Sequence, residues 1–220
     1  MQIGRVSEKD KEEIVKMTQD TWSWGDYIKD VFDRWLSDGI FIKAVDGSRI
    51  VGIIHLKVLP DYAWIEGLRV SKSERRKGIG RYIVEQSMSM VRRGVFRALI
   101  SEENLASRSL FESLGFRVIS HAYYNHGSEV IPPLQNLKPK PGKSAYLDDW
   151  IWYPENYCKG LYEGDLDGAK ITFVKANPIF LVEGTLPPNY EFTSGEKFEG
   201  AEGFVVVERS ALRAEALTLA

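Results

Sequence analysis

From Ile28 onward the apolar positions recur three and four residues apart. Ile28, Val31, Phe32, Trp35 and Leu36 fall on one face, which predicts a helix over Ile28–Ser37. An earlier helix is predicted over about residues 8–20, where Ile14, Val15 and Met17 stand out of a charged background. Ser7 stands where an N-cap belongs, and Glu8, Asp10, Glu12 and Glu13 suit the positive end of the helix dipole. Met1–Val6 alternates weakly and reads as a strand ahead of it. The stretches 40–45 and 50–59 are β-rich, and Asp46-Gly47 between them predicts a hairpin. Tyr62–Val70 is the next strand. A helix follows at Tyr82–Val91 on the spacing of Ile83, Val84, Met88 and Val91, closed by Gly94. Val95–Ile100 reads as a short buried strand, Asn104–Leu114 as a helix stopped by Gly115, and Phe116–Tyr124 as a last strand.

The predicted order is strand, two helices, three strands, helix, strand, helix, strand. That is an α/β (α+β) pattern of about 125 residues, one domain's worth. Beyond it the pattern changes. Residues 126–144 contain Pro132, Pro133, Pro139 and Pro141 among three lysines, which blocks helix interiors and sheet ladders and reads as a linker or an extended crossing segment. Residues 145–220 lean to β: Ile151–Tyr153, Ile171–Val174, Ile179–Val182 and Phe204–Val207 read as short strands, and Ser210–Leu219 as a short helix. The expected organisation is therefore a 1–125 domain, a 126–144 linker and a 145–220 β-rich or α+β subdomain. No repeat at a fixed period is evident.

Composition narrows the function classes. Lysine and arginine total 29 and acids 31, for a net charge of −2 over 220 residues, so the chain as a whole carries no nucleic-acid footprint. No apolar run approaches the ~20 residues of a membrane helix, and MQIGRV has no signal-peptide pattern. The lone Cys158 excludes a disulfide framework, suits a reducing cytoplasm, and is read as structural. His55, His121 and His126 make no metal-ligand spacing, so no metal site is expected.

The chemistry lies in Leu68–Gly80, LRVSKSERRKGIG. It leaves a strand, crosses a polar loop and meets Gly78-Ile79-Gly80 as a helix opens. A glycine turn at a helix start exposes unpaired N–H groups at the positive end of the dipole and lets a ligand approach the backbone. Arg75, Arg76, Lys77 and Arg81 add charge at the same place, and a pyrophosphate suits such a cradle. It is neither a Walker loop nor a three-glycine dinucleotide turn. A basic, solvated turn would carry the same residues.

These residues resemble the acyl-CoA motif R/Q-x-x-G-x-G/A of the GNAT superfamily of N-acyltransferases, with Leu68, Val70, Arg75, Gly78 and Gly80 at the expected spacing. The segment Asn104-Leu-Ala-Ser-Arg-Ser-Leu-Phe111-Glu-Ser-Leu-Gly115-Phe116 is similar to the second family helix. The resemblance covers about residues 1–124. It implies a mixed, strongly twisted sheet flanked by helices and splayed at its fourth strand, with acetyl-CoA as co-substrate in the splay. Backbone N–H groups around Arg76, Lys77, Gly78, Ile79, Gly80 and Arg81 would bind its pyrophosphate. Leu68 and Val70 would pair with the pantetheine arm. Asn104, Arg108 and the residue at 111 would also face the cofactor. Family members often carry a tyrosine acid at that last place, where this chain has Phe111; Tyr123 and Tyr124 are the substitutes at hand.

An amine must lose a proton to be acylated. On a plain strand Glu66 and Leu68 share a face, so Glu66 would look into the same site, where some family members place a catalytic glutamate. It also suits a solvated strand face. Gly67 beside it suits the bulge that splays the strand. Trp22, Trp24, Asp26 and Tyr27 lie in the loop that walls the acceptor site in this fold. Their aromatic faces and acid suit an ammonium, and they equally suit packing under the helices. The W-x-G-D-Y string with Trp35 beyond it weakly resembles histidine and amino-acid N-acetyltransferases. The expected function is acetyl transfer to a small amine or amino acid. A protein N-terminal or lysine acetyltransferase and a non-catalytic acyl-CoA sensor are the rivals. No nucleic-acid or membrane partner is expected, and a homodimer interface is one use for the C-terminal part.

Overall fold

A computed structural model of the chain describes residues 1–22, 25–92, 94–129, 131–157 and 159–210. Trp24 and Cys158, and most of the helix expected at Ser210–Leu219, lie outside the described residues. The elements are β1 Gln2–Arg5, α1 Lys11–Thr18, α2 Ile28–Ser37, β2 Ile40–Asp46, β3 Arg49–Val58, β4 Ala63–Val70, α3 Ile79–Ser89, β5 Val95–Ser101, α4 Leu105–Ser113 and β6 Arg117–Asn125. Eight further strands follow: β7 Gln135–Lys140, β8 Tyr146–Asp148, β9 Ile151–Tyr153, β10 Leu161–Leu166, β11 Ala169–Val174, β12 Phe180–Glu183, β13 Phe192–Ser194 and β14 Glu202–Ser210.

The contacts divide the described chain into two compact units. One comprises residues 1–97, 113–115 and 209 onward; the other comprises 98–112 and 116–208. In the first, β1-β2-β3-β4 is an antiparallel run. Ser7 opens the first helical turn with a capping box: its N–H and hydroxyl both donate to the Asp10 carboxylate, at 2.7 and 2.9 Å. A 3-10 turn occupies Glu8–Asp10, so the α-helix itself starts later than the sequence suggests. The apolar stripe of α2 buries Ile28, Phe32 and Trp35 against Ile14, Phe41, Ile50 and Ile53. Burying a side chain of this size is worth roughly 1.5–3 kcal/mol, so this face, not helix propensity, holds α2 in place.

Helix α3 begins at Ile79, three residues before the apolar period does, and stops at Ser89 ahead of the expected Gly94. The early start follows from Gly78, whose φ of +80° supplies a left-handed N-cap that a residue with a Cβ rarely adopts.

The second unit differs most from expectation. Its strands run β5-β14-β6-β13-β12-β11-β10-β7. The last strand, β14, lies between β5 and β6 and is antiparallel to β6 from Glu202↔Tyr124 to Glu208↔Arg117. The segment expected as a linker contains β7, which pairs with β10 and holds Pro139 opposite Tyr162. Proline has no N–H to give, and β7 is the last strand in the order, where one N–H edge needs no partner. A separate core of Ile171, Phe173, Leu181, Leu186 and Phe192 fills this unit.

Candidate functional site

At the start of α3 the backbone forms the cradle read from the sequence. Arg76 has φ +64° and Gly78 φ +80°, so the chain coils tightly before the helix. Tyr82 N–H is the first to find a helical acceptor, the Gly78 carbonyl at 3.0 Å. Ile79, Gly80 and Arg81 therefore present N–H groups with no intrahelical partner. A Cβ placed on Gly78 would meet nothing within 4 Å, so open space lies before the turn. These features fit a phosphate group.

The cations divide their duties. Arg75 turns back and donates to the Val70 carbonyl at 3.2 Å. Lys77 pairs with Glu74 at 2.9 Å, and that bond with the lysine holds the Glu74 carboxyl below its usual range. Arg81 bonds the Ser113 hydroxyl at 2.6 Å. Arg75 also lines a cleft of about 500 Å³ with Lys16, Arg49 and Lys72.

Strand β4 brings the second group. His55 pairs with Glu66 and Ile53 with Arg69, leaving Gly67 and Leu68 together opposite one residue of β3. This bulge, with Gly67 at φ +64°, slips the alternation by one position. Glu66 and Arg69 therefore share the face of His55 and Ile53, and Leu68 turns to the other. The expectation that Glu66 and Leu68 look the same way is corrected: side-chain period two holds only through an unbroken ladder.

Glu66 Oε1 lies 2.7 Å from Nδ1 of His55, a ring buried completely under Trp35 and Phe41. The Glu66 side chain stays 18% exposed. Trp35 passes directly beneath Gly67: a Cβ there would lie 2.2 Å from the indole Cη2. Gly67→Ala is expected to lose roughly 2–4 kcal/mol, combining overpacking with left-handed strain. Urea unfolding would measure it, and an unchanged midpoint would show that the bulge tolerates a side chain.

The acceptor-wall residues have an internal partner. Arg69 Nε donates to Asp26 Oδ2 at 2.7 Å, and its guanidinium lies 4.4 Å from the Trp22 ring centroid and 5.2 Å from that of Tyr27. The Asp26 carboxylate is only 1% exposed. The sequence reading of Asp26 as the partner of an acceptor ammonium is corrected: the cation among these aromatics is the chain's own Arg69. Burial raises the Tyr27 hydroxyl's pKa against the pull of that charge. Burial alone would lower Arg69, and the neighbouring Tyr27 and Asp26 more than offset it. Arg69 went unnoticed in the sequence because plain alternation turns it away from Glu66.

In the second unit, Asn104 accepts from the Ser107 N–H at 3.1 Å and so caps α4, while Arg108 donates to the Glu102 carbonyl at 3.1 Å. Phe111 is buried edge-to-face on Phe116. Tyr124 donates to Glu191, and burial together with that carboxylate pushes its hydroxyl far above the ordinary tyrosine range. Tyr123 stacks on His121. Among the described residues no group of three or more His, Cys, Asp or Glu is placed to hold a metal, and no helix is long and apolar enough to cross a membrane.

Comparison with known proteins finds relatives of this chain. The model of the acetyltransferase (GNAT) family matches residues 11–116. The spermidine N(1)-acetyltransferase of Thermoplasma acidophilum is 22% identical over 143 residues, 54% of this chain and 89% of that one. A crystal structure of a candidate acetyltransferase from Thermoplasma acidophilum superposes with a TM-score of 0.63 at 19% identity, covering 96% of this chain and all of that one. The ribosomal-protein-S18-alanine N-acetyltransferase of Escherichia coli gives 0.51 at 18% identity, over 58% of this chain and 84% of its own. The first structural match carries the fold through the C-terminal strands, which the family model does not reach. Residues 11–116, the segment that holds the glycine-capped anion cradle, match the acetyltransferase (GNAT) family.

Proposed function

We propose that the protein transfers an acetyl group from acetyl-CoA to the primary amine of a small molecule, an amine or amino acid, with Glu66 as general base. The observation that carries this reading is the Glu66 carboxylate. It is anchored at Oε1 on a side chain that is 18% exposed, on the strand that leads into the anion cradle. The N–H groups of Ile79, Gly80 and Arg81, with Arg76 and Lys77, hold the pyrophosphate of the co-substrate. The backbone near Leu68 and Val70 lies alongside its pantetheine arm. Trp22 and Tyr27, clamped by Arg69, wall the acceptor side. Glu66 takes the proton that the amine gives up as its nitrogen bonds to the acetyl carbon and the C–S bond breaks. With a phenylalanine at 111, the thiolate leaves without a tyrosine acid.

The preference for a small amine rests on the relative named for spermidine. Thiol release from acetyl-CoA tests it, measured over polyamines, free amino acids, N-terminal peptides and lysine peptides. Saturable turnover on one small-amine class is expected. Turnover on peptides alone would assign the protein-directed activity instead. Tight acetyl-CoA binding with no turnover on any amine would assign a sensor.

A further inference from the structure

His55 is fully buried, and nothing in the reaction as described so far uses it. Its ring makes two polar contacts. Nε2 meets the backbone carbonyl of Asp38, and Nδ1 meets Oε1 of Glu66 at 2.7 Å. A carbonyl oxygen only accepts, so Nε2 carries a hydrogen. That leaves Nδ1. A bare lone pair on this fully buried ring would face a carboxylate oxygen across 2.7 Å, a repulsive contact. A proton must lie between them.

The ring cannot turn away from this arrangement. Trp35 stacks on it at 4.7 Å and 3° between planes, and Phe41 meets it edge-on at 6.0 Å. The Asp38 carbonyl approaches because Gly39 follows at φ +89°; a Cβ on Gly39 would come within 3.0 Å of Nε2 and 2.2 Å of the Leu56 carbonyl oxygen. The charged and titratable groups around the pair are Arg69, Asp26 and Tyr27 on its own face, and Asp38 with Lys57, which bond each other at 3.1 Å.

We infer that His55 is the positioning residue of Glu66: it holds one shared proton against Oε1 and so leaves Oε2 as the oxygen that takes the amine's proton. This rests on the reading of Glu66 as base. In turnover the amine N–H breaks as the N–C bond forms and the C–S bond opens, and the released proton goes to Oε2, directly or through water. The pair then holds two protons. His55 Nδ1–H donates to the carbonyl oxygen of the new carboxylic acid, so the buried imidazolium keeps a partner. The second proton leaves for the thiolate or for water, and the pair returns to one.

The test has two arms. The first uses the unaltered full chain labelled with ¹⁵N-histidine, which holds three histidines, assigned with His121→Gln and His126→Gln. His55 Nε2 is expected to carry hydrogen across the whole pH range in which the protein is folded. Glu66→Gln is expected to move the Nδ1 signal and leave the Nε2 signal in place. A bare Nε2 with its hydrogen on Nδ1 would overturn the inference. The second arm is kinetic. His55→Gln is expected to lower kcat about 10- to 100-fold, a part of what acid–base catalysis supplies. It should leave KM for acetyl-CoA unchanged and alter the shape of the pH–rate profile. Added to Glu66→Gln it is expected to cost nothing more. A wild-type pH profile in His55→Gln, or an undiminished loss on top of Glu66→Gln, would remove the positioning role while leaving Glu66 as base. Full turnover by Glu66→Gln alone would overturn the base assignment itself, and the positioning role with it.

Discussion

Glu66→Gln is expected to lower kcat by roughly 10²- to 10⁴-fold, the range a positioned general base supplies, while acetyl-CoA binding stays at the wild-type level. The amide keeps the size of the side chain and can donate its N–H to His55 Nδ1, so β4 and the bulge at Gly67 remain intact. What it loses is the basic oxygen. Steady-state kinetics on the preferred amine give kcat and KM separately, and calorimetric titration with CoA gives the binding. A matched fall in kcat and kcat/KM with unchanged CoA affinity marks a group that acts in the transition state. A fall in CoA affinity with unchanged kcat would place Glu66 in the cofactor site instead. Retained turnover would show that water alone takes the proton.

Asp26→Ala is expected to destabilise the protein by about 3–5 kcal/mol, the cost of leaving one member of a buried ion pair unpaired. Arg69 would keep its aromatic neighbours Trp22 and Tyr27 but lose the carboxylate that bonds its Nε at 2.7 Å. The Ile28 N–H, which donates to Asp26 Oδ1 at 3.1 Å at the start of α2, would lose its acceptor as well, adding roughly 1 kcal/mol. For a chain of this length the melting temperature should fall by roughly 10 °C. The double variant Asp26→Leu/Arg69→Met removes both charges and should recover much of the loss, because no unpaired charge stays behind. Urea unfolding of the two variants measures this. Equal losses in the single and the double variant would mean that packing, not charge, holds the loop to β4.

Reading the sequence succeeded where the signal was local. The stripe Ile28, Val31, Phe32, Trp35 and Leu36 specifies α2, and Asp46-Gly47 specifies the turn between β2 and β3. Gly78 fixes the helix start because its left-handed backbone is a property of one residue. The cradle was legible for the same reason: its glycines, cations and helix opening are consecutive. Reading failed where the determinant was a pairing. β7 was hidden by its prolines, which an edge strand tolerates and a central strand does not. β14 reads as a strand from its valines, but nothing local says that it enters between β5 and β6, some eighty residues or more earlier in the chain. Arg69 was passed over because one bulge reverses which residues share a face.

The sequence by itself determined the class of the protein. An apolar strand and an R-x-x-G-x-G loop at a helix start are facts about neighbours along the chain, and they suffice for an anion cradle, which the resemblance to the GNAT motif assigns to an acyl-CoA. Only the tertiary structure decided what stands behind the candidate base. His55 and Glu66 are eleven residues apart, and only the register of β3 with β4 brings their side chains together. Trp35, Phe41 and the Asp38 carbonyl reach the imidazole from α2, from β2 and from the turn between them. Proton placement between two side chains depends on which groups exclude water around them and which can only accept. Those are properties of a packed interior, and no spacing along the chain encodes them.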